Sequence, residues 1–383
     1  MIEPQFIGRA IHTTLGFGLD ANLQALCAPP RAPQRIEVAC GADRALVPYH
    51  LLADAPLALG EDRCETVIER VVGAALDEAG LTSAQRHQTA LFVGSSSFDI
   101  GVGEARYRRE LSDDSAAVPL MGYASIANLA MRLCRRFDLR GPDFSINTAC
   151  TASANALMQA VTMIRSGSIS HAVLVGVELF NATTALGFHG LELLTAHAMT
   201  PFDRDRDGLA LGESCAAVVL GPDSGDGFYL RGAANLCDRH AISAANPDGS
   251  TVAAVMQRAL RSANIDAARI TAIKTHGTAS LLNDEAEVAG MRQVFAQLPP
   301  LAAFKPHLGH TLGACGLSEA MLLLGAIERG FITGTSGVCA QESDLGVTLI
   351  QQPLPVGRGN FMLNYFGFGG SNTTLIFSNE ART

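Results

Sequence analysis

The sequence predicts an α/β fold in which helices cover mixed sheets, arranged as two related halves. Three observations carry this. Apolar runs of strand length alternate with longer segments of helical period along nearly the whole chain. The same order restarts after the turn cluster Pro222-Asp223-Ser224-Gly225-Asp226-Gly227, which divides residues 1–225 from 226–383. And 383 residues, 48% of them hydrophobic and only 17% charged, exceed one ordinary core and can bury a large interior. No residue-level internal repeat accompanies the repeated order.

Residues 5–19 read as an opening strand with a Gly-rich turn. Residues 20–60, rich in Pro, Ala and Leu without periodicity, read as irregular cover. A helix over 64–79 places Val67, Ile68, Val71, Val72 and Ala75 on one face. Residues 90–94 are a short buried strand that ends in the polar turn Ser95-Ser96-Ser97, and a helix over 125–137 is followed by the breaker Gly141-Pro142. A strand over 144–147 runs into a tight turn and then a helix built from Ala154, Ala156, Leu157, Ala160, Val161 and Ile164. Strands at 172–177 and 216–220, the first apolar throughout and so buried on both faces, flank a helix-containing excursion over 181–200. The second half reads as strand 228–233, helix 250–263, strand 270–275, helix 284–296, strand 301–304 and helix 313–329. Strands at 347–351, 360–364 and 373–377 close it.

A net charge of -9 leaves no basic stripe to neutralise phosphates, which argues against unspecific nucleic-acid binding. Arg106 with Arg108-Arg109, and Arg135-Arg136, are small clusters that read as solvated helix faces. The nine cysteines show neither CxxC pairs nor regular spacing, which argues against a disulfide framework or a zinc site and for a reducing compartment. The N-terminal Met1-Ile2-Glu3-Pro4 lacks the features of a signal peptide. The uncharged run 144–164 is interrupted by Asn147, Thr148, Thr151, Ser153, Asn155, Gln159 and Thr162, the mark of a buried central helix rather than a membrane span. A cytoplasmic protein is expected.

Cys150 sits where strand turns into helix. There the unpaired first N–H groups and the helix dipole favour thiolate over thiol, which suits a nucleophile. The small neighbours Ala149 and Ala152 leave room for a substrate carbonyl. The alternative is a buried apolar cysteine, and the segment alone does not decide between them. Three more stretches put polar residues where strands end and glycine turns begin: Thr275 to Ser280, with Asn283-Asp284 and Glu287; Lys305 to Gly316, with Glu319; and Asn364 to Asn372. Two histidines and a lysine held there make an electropositive pocket, which further favours the thiolate.

These stretches resemble the β-ketoacyl-acyl-carrier-protein synthases, condensing enzymes of the thiolase-like superfamily, in particular their elongating Cys-His-His class. The resemblance rests on Thr148-Ala149-Cys150, His276-Gly277-Thr278, Lys305 with Gly309-His310, the loop Gly367 to Gly370, and the acidic loop Pro201 to Gly208 followed by Leu211-Gly212-Glu213. It implies a thiolase-like fold of two similar αβαβα halves, the first carrying the nucleophile and the second the two histidines, normally dimeric with the active site between them. It implies Cys150 as acyl-accepting nucleophile, His276 and His310 as stabilisers of an enolate, and the N–H groups of Cys150 and Phe368 as oxyanion hole. Lys305 would support His310 electrostatically, with Glu319 as its ion partner, since a buried lysine needs a carboxylate. Phe368, between glycines, would act as a gate. Glu287 is a supporting candidate, and Thr278 and Ser280 would bond the pantetheine arm. His307 misses the motif position and reads as structural.

No metal and no bound cofactor are implied; the substrates ride on the phosphopantetheine of an acyl carrier protein. The expected partners are that carrier protein and either a second copy of the chain or a related ketosynthase or chain-length-factor subunit. Ala279-Ser280-Leu281, Pro306 and Ser214-Cys215 depart from the family pattern, and the chain is somewhat shorter than a typical member. A non-elongating chain-length factor, a thiolase and a Cys-His-Asn initiating synthase are the rival readings. The retained Cys150, His276 and His310 weigh against the first, and the second histidine against the others.

Overall fold

The computed structural model describes residues 3–41, 43–52, 61–111, 126–222, 227–335 and 345–381. In chain order it opens with β1 (Gln5–Thr13), β2 (Gly16–Phe17), α1 (Leu19–Leu26), β3 (Gln34–Cys40) and β4 (Asp43–His50). Next come α2 (Glu61–Ala79), α3 (Ser83–Arg86), β5 (Ala90–Gly94), α4 (Phe98–Leu111), α5 (Ile126–Phe137) and β6 (Asp143–Ile146). The first half ends with α6 (Ala152–Arg165), β7 (Ala172–Glu178), α7 (Ala182–Gly190), β8 (Leu211–Gly212) and β9 (Ser214–Gly221). The second half begins with β10 (Tyr229–Cys237), α8 (Ser250–Ala263), β11 (Ile270–Lys274), α9 (Leu281–Val294), β12 (Leu301–Ala302) and α10 (Lys305–Leu308). It closes with α11 (Cys315–Glu328), β13 (Phe331–Ile332), β14 (Leu354–Pro355), β15 (Asn360–Phe366) and β16 (Ser371–Ser378).

Two mixed sheets dominate, ordered β2-β1-β9-β7-β5-β6 and β10-β16-β15-β11-β12. Beyond the short β2 the two follow one plan, two antiparallel pairings and then two parallel ones. Even the irregularities correspond. β1 shifts register between Phe6 and Gly8 and β10 between Leu230 and Gly232. At each glycine a Cβ would run into helix backbone, 2.2 Å from Ala75 O at Gly8 and 2.5 Å from Ala263 N at Gly232. The repeat that no residue pattern betrays is therefore present in topology.

Side-chain alternation sorts the layers. On the first sheet Phe92, Leu174 and Val218 face inward onto α6 and α11, while Leu91, Val93, Val173 and Val175 face outward onto α2 and α5. On the second sheet Phe361, Leu363 and Leu375 face the same inner helices, and Ile273, Met362 and Ile376 face α8 and α9. The layers run α, β, α, β, α. Every residue of α11 from Cys315 to Ile327 is buried, which is why, Ser318 and Glu319 apart, that stretch is apolar or small on all sides. Among the described residues no helix is long and apolar enough to cross a membrane.

Two expectations need correction. Residues 20–60 are not irregular cover: they hold α1 and the hairpin β3–β4, which pairs in parallel with β8. Most of β3 faces solvent, so no apolar run marks it. The stretch 347–351 is no ladder strand; Leu349 makes a single bridge to Leu301, and the nearest strand is the two-residue β14. Residues 53–60, Ser125 and the turn residues 223–226 lie outside the described residues, as does Cys339.

Candidate active site

The site is assembled at the C-terminal ends of the parallel strands, where α/β sheets leave crevices for ligands. The loop after β6 carries Cys150, that after β11 carries His276, that after β12 carries Lys305 and His310, and that after β15 carries Phe368. Cys150 follows Ala149, which is held at φ 50, the left-handed region that side chains disfavour. The turn is pinned from both flanks. Thr151 Oγ1 bonds Thr148 O at 2.7 Å and Ser371 Oγ at 2.8 Å, and Asn155 Nδ2 donates to Thr148 Oγ1 at 2.8 Å. Cys315, at the start of α11, donates its thiol to Cys150 O at 3.0 Å. At Gly316 a Cβ would lie 2.1 Å from Ala154 N, so only glycine lets α11 approach the start of α6 this closely.

His310 Nε2 lies 3.1 Å from Cys150 Sγ. The His276 and His310 rings meet edge to face with centroids 5.3 Å apart. The His310 backbone hangs on β8 and its approach, with N–H to Ala210 O at 2.7 Å and O from Gly212 N at 3.0 Å. The N–H groups of Phe368 and of Cys150 itself point at the sulfur. All three reactive side chains line one cavity of about 280 Å³, together with Thr278, Ser280 and Phe368. Phe368 stacks on Phe188, rings 13° apart in plane and 5.5 Å between centroids.

Behind the cavity lies a buried charge network. Lys305 Nζ donates to His276 O at 2.6 Å and Glu319 Oε1 at 2.9 Å, and faces His276 Nδ1 at 3.5 Å. Glu319 is therefore an internal ion partner, not an exposed helix residue. Its other oxygen is held by Lys274. Glu287 accepts the N–H groups of His276 at 2.8 Å and Gly277 at 2.9 Å, and Asp284 accepts that of Thr278 at 3.1 Å. Thr278 and Ser280 hydroxyls bond each other at 3.0 Å.

Lys305 acts on His310 through its charge and touches His276 directly. One expectation changes here: the resting cysteine is a thiol. Burial pushes Cys150 up to about 12, and the Lys305 charge and the two backbone N–H groups offset only part of that. Burial first, then the Lys305 charge, holds His276 and His310 well below their ordinary value, so both imidazoles are neutral. Burial also raises Glu287 to about 7 and Asp284 to about 6.

The remaining candidates fall where their types suggested. His307 Nε2 bonds Ala28 O at 3.0 Å, a structural contact. Three residues escaped the sequence reading: Lys274, Cys315 and Phe188. Lys274 is the last residue of β11, two positions before His276, and its partners come from α11 and β15, so only the tertiary fold reveals its place. Phe188 had no signal either, because only the tertiary fold stacks it on Phe368. Among the described residues no group of three or more His, Cys, Asp or Glu side chains could hold a metal ion.

Comparison with known proteins agrees with this architecture. Residues 58–225 match the family model "Beta-ketoacyl synthase, N-terminal domain" and residues 228–338 "Beta-ketoacyl synthase, C-terminal domain". The 3-oxoacyl-[acyl-carrier-protein] synthase 2 of Vibrio harveyi is 28% identical over 332 residues, 80% of either chain. Polyketide synthase ThaG of Burkholderia thailandensis is 29% identical over 344 residues, which cover 80% of this chain and 6% of that protein. A chain of the complex between the ketosynthase ApeO and its chain length factor ApeC from Xenorhabdus doucetiae superposes over 98% of both chains with TM-score 0.83 and 26% identity. A β-ketoacyl synthase from Burkholderia phymatum superposes over the full length of both with TM-score 0.85 and 24% identity.

Proposed function

The chain belongs to the β-ketoacyl synthase family and is an acyltransferase of that kind, and on this premise we propose that it performs a decarboxylative Claisen condensation on carrier-bound substrates. The observation that carries this reading is the contact of His310 Nε2 with Cys150 Sγ in a cavity that His276 also lines. In this reading the half 1–225 supplies the nucleophile and the half 226–383 the histidines.

The first step is thioester exchange. As Cys150 Sγ attacks the acyl carbonyl, its proton passes to the neutral His310 Nε2, because a thiol at about 12 is too weak an acid to ionise unaided. The developing oxyanion is held by the N–H groups of Cys150 and Phe368, each such donor contributing about 3–4 kcal/mol. Collapse breaks the bond to the pantetheine sulfur, which leaves with the proton. The acyl group stays on Cys150.

In the second step a malonyl thioester loses carbon dioxide, and the electron pair of the broken bond becomes an enolate. Lys305 donates toward His276 Nδ1, so the proton of that neutral ring resides on Nε2, ready to bond the enolate oxygen. His310 Nδ1 has no hydrogen-bond partner among the described residues. The ring is thus bound to neither tautomer and serves as acceptor in the first step and donor in the second. The enolate carbon attacks the acyl-Cys150 carbonyl, the carbon–sulfur bond breaks with its electron pair on the sulfur, and a proton taken up from solvent restores the thiol. Thr278 and Ser280 border the path of the pantetheine arm, and Phe368 gates it.

The test is intact mass after incubation with an acyl carrier protein, with Cys150→Ala as control. Acyl transfer to Cys150 is expected, alone or with a related subunit of the kind ApeC is to ApeO. No adduct with any acyl length, with or without such a subunit, favours a non-elongating partner role instead.

A further inference from the structure

Of the 28 basic residues in this chain only two are lysines, Lys274 and Lys305. Neither reaches the surface; they are 0% and 1% exposed, and both sit on Glu319. A chain that meets solvent with arginine alone has placed its lysines in the environment most hostile to an ammonium ion. Lys305 is accounted for by His276. Lys274 is not, since it touches no reacting group.

Its contacts indicate what it does. Lys274 Nζ bonds Glu319 Oε2 at 2.5 Å and Asn364 O at 2.8 Å, and lies 3.6 Å from the centroid of the Tyr365 ring. An ammonium has three N–H bonds, and here two go to oxygens and the third side faces a π-cloud. Lys305 is equally saturated, by Glu319 Oε1, His276 O and His276 Nδ1. Each Glu319 oxygen thus serves one lysine. Without Lys274, Oε2 would lose the donor it has, while the Lys305 ammonium already sits on the other oxygen of the same carboxylate. That group would turn toward both oxygens and away from the ring, the longest of its three contacts.

Building on the condensing reading, we propose that Lys274 is a positioning residue. By occupying Oε2 of Glu319 it holds the Lys305 ammonium against His276 Nδ1, and so keeps the His276 proton on Nε2, the ring nitrogen left for the pocket. The charged and titratable groups around this pair are Glu319 and Cys315 from α11, Glu287 from α9, Tyr365 from β15, and His276 and His310. Burial pulls Lys274 down to about 8, with Lys305 adding to the fall and Glu319 opposing it. Burial pulls Lys305 down as well, but the charge and hydrogen bond of Glu319 together with the Cys315 and Glu287 charges hold it above its ordinary value. Lys274 is therefore the ammonium that yields its proton first, so the wild-type protein can be switched by pH alone.

Having only two lysines makes the experiment clean, because lysine labelled at Cε and Nζ gives two side-chain signals. The one that Lys274→Met removes is Lys274, and its position over Tyr365 shifts it upfield independently. Labelled histidine, with His276 assigned through His276→Asn, reports the tautomer. Wild type at pH 7 is expected to show His276 protonated on Nε2. In Lys274→Met the signal moves toward the Nδ1-protonated form, while Lys274→Arg, which keeps a cation on Glu319, restores the wild-type pattern. Malonyl decarboxylation in Lys274→Met loses kcat by about 100-fold, the scale of one misdirected donor, while KM for the malonyl carrier and the rate of Cys150 acylation are unchanged. Should Lys274→Met fail to fold, wild type titrated through about pH 8 decides: the His276 signal must follow the Lys274 signal. A His276 tautomer indifferent to both the substitution and the titration overturns the proposal. A wild type that neither acylates Cys150 nor decarboxylates malonyl thioester overturns the condensing reading instead, and leaves the tautomer experiment to judge Lys274 by itself.

Discussion

Glu319→Gln probes the centre of the buried network while keeping its shape. Glu319 is 0% exposed and is the one carboxylate bonded to both ammonium groups, at 2.5 Å from Lys274 and 2.9 Å from Lys305. The amide removes one negative charge and leaves two buried cations facing neutral partners. Removing one member of a buried ion pair costs about 3–5 kcal/mol. The pH dependence gives the sharper signature. Without the carboxylate, burial and mutual repulsion depress both lysines in the folded state while the unfolded values stay near 10.4. Between the two, the unfolded chain binds more protons than the folded one, so stability rises with pH, by up to about 1.4 kcal/mol per unit for each lysine that has lost its proton. In wild type that rise begins only above the Lys274 value of about 8, and Lys305, raised by Glu319, opposes it as pH climbs further. Urea denaturation of both proteins from pH 6 to 9 should therefore give a difference that is largest at pH 6 and shrinks as the pH rises. A difference below about 1 kcal/mol, or one flat in pH, would show that Glu319 does not carry the charge balance assigned to it.

Four further outcomes follow from the structure. Because burial holds Cys150 up to about 12, its alkylation by iodoacetamide should climb about tenfold per pH unit between pH 6 and 9; a plateau below pH 8 would reveal a resting thiolate. Gly316→Val should abolish folded yield or cost more than about 3 kcal/mol, since a Cβ would stand 2.1 Å from Ala154 N. Gly187→Ala, in α7 with nothing within 4 Å of the added carbon, should instead stabilise by about 0.5–1 kcal/mol in thermal melts. A double-mutant cycle on Phe188→Ala and Phe368→Ala should return a coupling of about 0.5–1.5 kcal/mol for the stacked pair, and a value near zero would show that the two rings do not support each other.

What could be read in advance was local. The helix over 64–79 announced itself by period, the strands at 90–94 and 172–177 by unbroken apolar runs, and the reactive residues by their positions between strand ends and glycine turns. The hairpin β3–β4 did not, because a solvent-facing strand carries no hydrophobic pattern to detect. Nor did the kinship of the two halves, which lives in strand order and in paired bulges at Gly8 and Gly232 rather than in residue identity.

Local sequence was enough to single out candidates for the chemistry, since Cys150, His276, His310 and Lys305 stand at junctions of strand and glycine turn or helix. Tertiary structure alone decided their protonation and their pairing. A helix N-terminus argues for a thiolate, but the sulfur lies among buried groups whose desolvation outweighs that field, so it rests as a thiol beside a neutral imidazole. The resemblance gave Lys305 electrostatic support of His310 and the site; the fold adds its contact with His276 and brings in Lys274 through a glutamate from another helix. Desolvation and charge coupling depend on everything within several ångströms, and residues far apart along the chain supply most of that surrounding.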